Sequence, residues 1–300
     1  MSEQTDKEPE GFSQEWLSLR EPADHAARSP VLTRHINQWI QSRSADQLKV
    51  MDLGAGTGSN LRYLCPGFGH NQHWTLIDND ASLLSNLPTI LTDWAAGMGM
   101  QIRQDHHSIH LQTDTFSATI EWHINNLADD MAQLPFSTTD LTTGSALLDL
   151  TSTLWLDELA MLCNRYECAS LFVLNYDGRI HWQPELHEDE RIQTLLNAHQ
   201  LTDKGFGPAL GPAAGEYFSN IVKLNQKVMT EGSDWTIDKS QQALQQALIE
   251  GWAGAATEQD PAASQAAHQW RQQRTLVNQQ REATLTVGHI DVLALPSGHV

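Results

Sequence analysis

Positive charge is scarce in this 300-residue chain: 18 Lys and Arg stand against 37 Asp and Glu, a formal net charge of −19. That balance argues against a nucleic-acid-binding surface, because phosphate contacts need clustered Lys and Arg. Cysteine is scarce too. Cys65, Cys163 and Cys168 are an odd set with no zinc-like C-x-x-C, and they read as reduced residues of a cytoplasmic protein. No apolar run approaches the roughly 18 residues of a membrane span, so no membrane is expected. The N-terminus is polar and acidic, without the apolar stretch of a signal peptide. Histidine is present but not at metal-ligand spacing. Neither His106, His107, His110 and His123 nor His181, His187 and His199 with Glu185 match a known pattern, so no metal is expected.

About 40% of the residues are apolar, enough for a core, and the length allows one large domain or two small ones. The chain is organised around the stretch from Lys49 to Asn60. Leu48 to Leu53 reads as a short buried strand, Gly54, Gly56 and Gly58 as a turn, and a helix starts near Asn60. Glycines at alternate positions allow positive φ and let a ligand approach without a Cβ in the way. The following helix presents unpaired N–H groups to whatever sits in the turn. A nucleotide-like ligand is therefore expected.

The spacing narrows the ligand. A dinucleotide fingerprint is G-x-G-x-x-G, but here the third glycine comes one residue early. Asp52 also stands two residues before the first glycine, an unfavourable place for a carboxylate near a pyrophosphate. It suits a ligand with positive charge. An acid, any residue, then G-x-G-x-G, matched from Asp52 to Gly58, resembles motif I of the class I S-adenosylmethionine-dependent methyltransferases. The resemblance implies S-adenosyl-L-methionine as cofactor, held by Asp52, Gly54, Ala55, Gly56 and Gly58. It places the ribose acid at Asp78, which ends the next strand, His73 to Asp78, with Asn79 beside it. A carboxylate accepts from two neighbouring hydroxyls, so the residue type fits. Asp80 is better read as a helix N-cap. Asn126 falls where the family bonds the adenine amino group, with Leu127 near the base and Asp129 as the competing choice. Ser145 falls near the methyl end.

Further elements follow from local pattern. From Phe12 to Gln41 the spacing is helical, broken at Pro22 and Pro30, with Ser29-Pro30 as a helix start. The charged residues within Trp16 to Ser29 mark either a lid or the outer face of amphipathic helices. The glycine-turn helix is expected to stop at Pro66-Gly67. Ala81 to Trp94 reads as helix, and Ser108 to Thr113 with Phe116 to Ile124 as strands. A fourth strand and its turn are read over Thr139 to Leu150, and a helix over Leu154 to Cys163. A fifth strand is read over Ser170 to Asn175, ended by a turn at Tyr176-Asp177-Gly178-Arg179. Lys204 to Gly215 is Gly/Pro-rich and reads as a binding loop or a hinge. Lys227 to Ile237, kinked at Gly232-Ser233-Asp234, and Thr284 to Leu295 complete the strands. Gln241 to Ala256 and Ala262 to Gln280 are helical by periodicity.

Strands alternating with helices make a doubly wound α/β layout. The resemblance implies a Rossmann-like seven-stranded sheet whose last strand is antiparallel. Helical additions come before strand 1 and between the last strands. The expected division is a disordered tail over 1–11, a helical cover over 12–45, and a cofactor-binding domain over 46–300 with a helical insertion near 239–282. The chain has no Asn-Pro-Pro-Tyr or Asp-Pro-Pro-Tyr and no Pro-Cys, which removes most nucleic-acid methylation. A small-molecule acceptor is expected. A protein acceptor, a non-catalytic cofactor-binding role and a nicotinamide dehydrogenase are the rivals. If a general base is used, Asp149, His181, His199 and Asp203 are the candidates. Trp16–Arg28, Gly144–Asp149 and Tyr176–Gly215 are expected to decide the acceptor. Nothing in the sequence fixes the oligomeric state.

Overall fold

The computed structural model describes residues 12–106, 108–129 and 131–297. The expected tail over 1–11 and His107 lie outside them. The helices are α1 (Gln14–Ala27), α2 (Pro30–Ser42), α3 (Ser59–Phe68), α4 (Ala81–Gly97), α5 (Thr153–Arg165), α6 (Asp189–Gln200), α7 (Ala214–Val222), α8 (Gln242–Gln259) and α9 (Ser264–Gln279). The strands are β1 (Leu48–Leu53), β2 (His70–Asp78), β3 (Gln101–Gln104), β4 (Ser108–Gln112), β5 (Phe116–Ile124), β6 (Leu141–Ser145), β7 (Ala169–Gln183), β8 (Gln226–Gly232), β9 (Trp235–Ile237) and β10 (Thr284–Pro296). Among the described residues no helix is long and apolar enough to cross a membrane.

One sheet runs in the order β3-β4-β5-β2-β1-β6-β7-β10-β8, with β9 paired to β10. Strands β5, β2, β1, β6 and β7 are parallel, and β10 is antiparallel to both β7 and β8. This is the doubly wound α/β class with its last strand antiparallel. Among the described residues the sheet has ten strands rather than seven: β3 and β4 extend the β5 edge as an antiparallel pair, and β9 is a short addition. The strand order reverses at β1, because the chain builds outward through β2 and β5 and then returns to β6. Ligands bind at that reversal, beyond the carboxyl ends of the strands.

Alternation along β1 feeds two cores. Leu48 and Val50 pack with α2, α3 and α4 on one face. Met51 and Leu53 pack with α5 and α7 on the other. The second face is covered only in part. Between β5 and β6 the chain makes two short 3-10 turns, Met131–Gln133 and Phe136–Thr138, instead of a helix. The alternation of β5 matches: Ile120 is buried, while Glu121 and His123 border a cleft of about 710 Å³ together with His73 and Thr75 of β2. Parallel sheets are usually buried on both faces; here polar side chains replace the missing cover.

Four local expectations give way to tertiary structure. Helix α1 continues through Pro22, and the break falls at Arg28 and Ser29, where Ser29 Oγ accepts from Leu32 N at 3.2 Å and Pro30 opens α2. Helix α3 runs through Pro66-Gly67 to Phe68, which is 3% exposed and anchors the last turn in the core. The fourth strand is only Leu141–Ser145, followed by a 3-10 turn at Leu148–Leu150. Strand β7 passes straight through the Asp177-Gly178 pair, because β10 pairs along its whole length, from Ala294↔Ser170 to Thr284↔Gln183. Gly178 accommodates the local irregularity with φ +90°.

Candidate functional site

The turn after β1 has all three glycines at positive φ: Gly54 at 65°, Gly56 at 52° and Gly58 at 76°. Gly58 N donates to Ala55 O at 2.8 Å and closes the turn, while Ala55 N donates to Ile77 O at 3.0 Å and ties it to β2. A Cβ on Gly58 would stand 3.2 Å from Leu87 Cδ2. Gly58 caps α3 without a side chain, so the first N–H groups of the helix meet no capping oxygen from it.

Asp52 sits fully buried under this turn. Its Oδ1 accepts from Asn60 Nδ2 at 2.7 Å. The same amide reaches Thr143 Oγ1 at 3.1 Å, and Asn60 Oδ1 accepts from Arg28 Nη1 at 2.9 Å. Among the described residues Asp52 Oδ2 has no hydrogen-bond partner. Burial pushes the Asp52 carboxyl up to about 7. Asn60 and Arg28 oppose the shift, and the charge of Asp78 adds to it.

Asp78 ends β2 and is 8% exposed. Its Oδ2 accepts from Gly56 N at 2.7 Å and its Oδ1 from Asp80 N at 2.9 Å. One carboxylate thus fixes both the glycine turn and the start of the next loop. Each oxygen keeps further acceptor capacity. Burial raises its pKa against these backbone donors. Asp80 is the N-cap of α4, accepting from Ser82 N at 2.8 Å and Leu83 N at 3.2 Å. Asn79 is exposed between them.

Beyond β5, Asn125 N donates to Asp78 O at 2.9 Å, which brings this loop to the same edge. Asn126 is exposed, and its Oδ1 turns back to accept from Ala128 N at 3.1 Å. Asp129 is exposed as well. Leu127 is buried, its carbonyl held by Trp155 Nε1 at 2.7 Å. Ser145 is half-buried at the end of β6, just before Ala146 at φ +52°.

Helix α1 lies over this edge with two stripes. On one, Leu17 Cδ1 stands 3.1 Å from where a Cβ of Gly56 would be. Glu21 pairs with Arg62, and His25 Nε2 lies 3.1 Å from Ser59 Oγ, both partners on α3. On the other stripe, Arg20 binds Asp24 through Nε at 2.9 Å and Nη2 at 3.0 Å. Its guanidinium lies 4.9 Å from the Trp235 ring and 5.9 Å from Trp16. Trp235 Nε1 donates to Asp24 at 3.1 Å. His289 completes this side, its ring 5.0 Å from Trp235 and 6.2 Å from Tyr176. Burial pushes His289 down to about 3, so it is neutral. Its Nδ1 faces Val287 O at 3.0 Å and carries the proton, which leaves Nε2 as an acceptor.

Asp149 reaches the same side from the 3-10 turn after β6. It is 6% exposed, and its Oδ1 has no hydrogen-bond partner among the described residues. Burial pushes its carboxyl up to about 6; its own backbone N–H, the charge of Arg20 and the Tyr176 N–H oppose the shift. The other candidate bases make other contacts. His181 is exposed on β7, eight residues past Val173 and about 25 Å along the strand. His199, on α6, lies 3.2 Å from Glu258 of α8. Asp203 Oδ1 accepts from Gly205 N at 2.7 Å and Gly207 N at 2.9 Å and so shapes the Gly/Pro-rich loop.

Arg20, Asn60, Trp235 and His289 escaped the sequence reading. Asn60 follows the motif directly. The charges mixed into Trp16–Ser29 and the single histidine inside the apolar run Thr284–Leu295 were the available signals for Arg20 and His289.

No protein-family model and no curated protein matches this sequence. Solved structures of S-adenosylmethionine-dependent methyltransferases do overlay on it. One from Geobacter sulfurreducens, in complex with S-adenosyl-L-homocysteine, is 12% identical over 95% of this chain and 98% of its own, at a TM-score of 0.43. A cyclopropane synthase from Mycobacterium tuberculosis is 10% identical over 94% of each chain, at 0.44. A geranyl diphosphate methyltransferase in complex with S-adenosylmethionine is 10% identical over 89% of this chain and 84% of its own, at 0.40. At such identities the likeness carries no activity over to this chain.

Proposed function

We propose that this chain is an S-adenosylmethionine-dependent methyltransferase acting on a small-molecule acceptor. The observation that carries the reading is Asp52 Oδ2, a buried carboxylate oxygen without a partner beside a three-glycine turn. Burial raises this carboxyl to about 7 despite the nearby Arg28, and a cation beside Oδ2 favours its charged form. The ammonium and sulfonium of S-adenosylmethionine supply positive charge, whereas the pyrophosphate of a dinucleotide would meet like charge.

The residues fit the cofactor. Gly54, Ala55 and Gly56 form the cradle, Asp78 has acceptor capacity for a ribose, and Leu127 offers an apolar surface for a base. Asn79, Asn126 and Ser145 line the same sheet edge. S-adenosylmethionine held there would supply an electrophilic methyl for the acceptor's lone pair, with the sulfonium sulfur as leaving group. The chain's own part is to position the reactants, exclude water beneath α1 and take up a proton. Asp149 suits the last task. Its Oδ1 is free of hydrogen bonds, and a carboxyl held near 6 is a competent base at neutral pH.

Calorimetric titration with S-adenosylmethionine, S-adenosylhomocysteine and NAD tests the reading. Binding of the first two and not NAD is expected. Tight NAD binding without S-adenosylmethionine binding overturns it.

A further inference from the structure

We infer that the acceptor is a small amino acid or hydroxy acid, held with its nucleophilic nitrogen or oxygen at Asp149 Oδ1 and its acid group at Arg20. This rests on the methyltransferase reading and adds the chemical class of the acceptor.

Sheet order separates the two ends of the site. Asp78 ends β2 and Asp52 lies on β1, whereas Asp149 follows β6 and Tyr176 lies on β7. The cofactor-type groups therefore occupy one side of the strand reversal. Asp149, Arg20, Trp235 and His289 occupy the other, where an acceptor must stand to reach the methyl end.

On that second side two needs of opposite polarity face a ligand. Asp149 is buried and its Oδ1 lacks a donor, which an N–H or O–H would provide. Arg20 is the counterpart. Asp24 takes Nε and Nη2, and the rings of Trp16 and Trp235 fix the guanidinium, so Nη1 is the nitrogen left to offer. A planar guanidinium held this way recognises a carboxylate-like acid.

Arg20 is ion-paired with Asp24, and neutral His289 lies beside Asp234 and Arg179, so the acid group is read from the Nη1 of Arg20 and the donor from Asp149 Oδ1. A diacid would bring an anion to Asp149. A molecule with a donor at one end and an acid at the other meets both groups. The rings of Trp16 and Trp235 flank Arg20, and His289 lies beside both Trp235 and Tyr176, so this side is largely aromatic. In the reaction the nucleophile's proton passes to Asp149 Oδ1.

The test uses the full chain saturated with S-adenosylhomocysteine. Proteinogenic amino acids, 2-hydroxy acids and hydroxybenzoates are titrated by calorimetry, each beside its amide. At least one acid should bind, its amide at least tenfold more weakly. Arg20→Gln should weaken that acid at least tenfold, with S-adenosylhomocysteine affinity within threefold of the parent and partial recovery in Arg20→Lys. Three results overturn the inference alone: S-adenosylhomocysteine binds but no acid does, the amide binds as well as the acid, or Arg20→Gln weakens S-adenosylhomocysteine as much as the acid. The acid–amide comparison needs no variant, so it stands even if Arg20→Gln fails to fold. Failure of the parent protein to bind S-adenosylhomocysteine overturns the methyltransferase reading itself.

Discussion

Asn60 Nδ2 stands 2.7 Å from Asp52 Oδ1, while the second oxygen of that carboxylate is buried without a partner. The amide holds the acid in place and satisfies half of it. Asp52 is pushed up to about 7, so part of the population carries its proton near neutral pH. A cation bound beside Oδ2 favours the carboxylate and expels that proton. Binding of S-adenosylmethionine near neutral pH should therefore release a fraction of a proton, and more of it as the pH is lowered. Calorimetry in buffers of different ionisation enthalpy measures it, and Asp52→Asn should abolish the release. Identical proton release in the variant would remove Asp52 from the cation site.

The same carboxyl predicts a stability profile for the unliganded protein. Its folded pKa lies above the unfolded value, so its contribution is full below about pH 4 and is lost as pH rises through about 7. The loss is on the order of 2–4 kcal/mol. Urea midpoints at pH 4, 6 and 8 should fall less steeply in Asp52→Asn than in the parent. Parallel profiles would count against a raised Asp52.

Asp78 binds Gly56 N and Asp80 N at once. Asp78→Ala strands both donors and removes the ribose acceptor. A loss of about 1–3 kcal/mol in S-adenosylhomocysteine affinity is expected, read by direct titration. Unchanged affinity would exclude the ribose role.

Gly144 on β6 has no room for a side chain. A Cβ there would lie 3.0 Å from Leu53 O and 3.0 Å from Phe172 Cε1, one a backbone atom of β1 and the other a buried ring. Gly144→Ala should destabilise the fold by about 1–3 kcal/mol. Gly251 of α8 meets nothing within 4 Å, so Gly251→Ala should be neutral or stabilise by up to about 1 kcal/mol. Equal effects of the two in urea denaturation would refute the packing assignment.

Local chemistry was legible where neighbours in sequence are also neighbours in space. The glycine turn, the Ser29-Pro30 helix start and the Asp80 cap depend on contacts within a few residues, and pattern sufficed for them. Strand β7 was not legible past Asn175, because its extension depends on β10, more than 100 residues away. Separation along the chain also hid the second half of the site. Register alone brings Tyr176 opposite His289 and Trp235 opposite Val287, and only the packing of α1 adds Arg20. Pro22 signalled a break, but tertiary contacts carry α1 through it. Alternation shows which way a side chain faces, and not which distant strand it meets.

Leu17 rests on Gly56, and Arg20 follows it by three residues on the same rigid helix. A cofactor in the turn would meet Leu17, and a displacement of α1 would move Arg20 with it. The acceptor side is then complete only after the helix has returned over a loaded turn. Uptake should follow a compulsory order, cofactor first and acceptor second. Stopped-flow association would show a cofactor-binding rate that levels off with concentration at the rate of helix opening, and random-order kinetics would show that α1 does not gate the site.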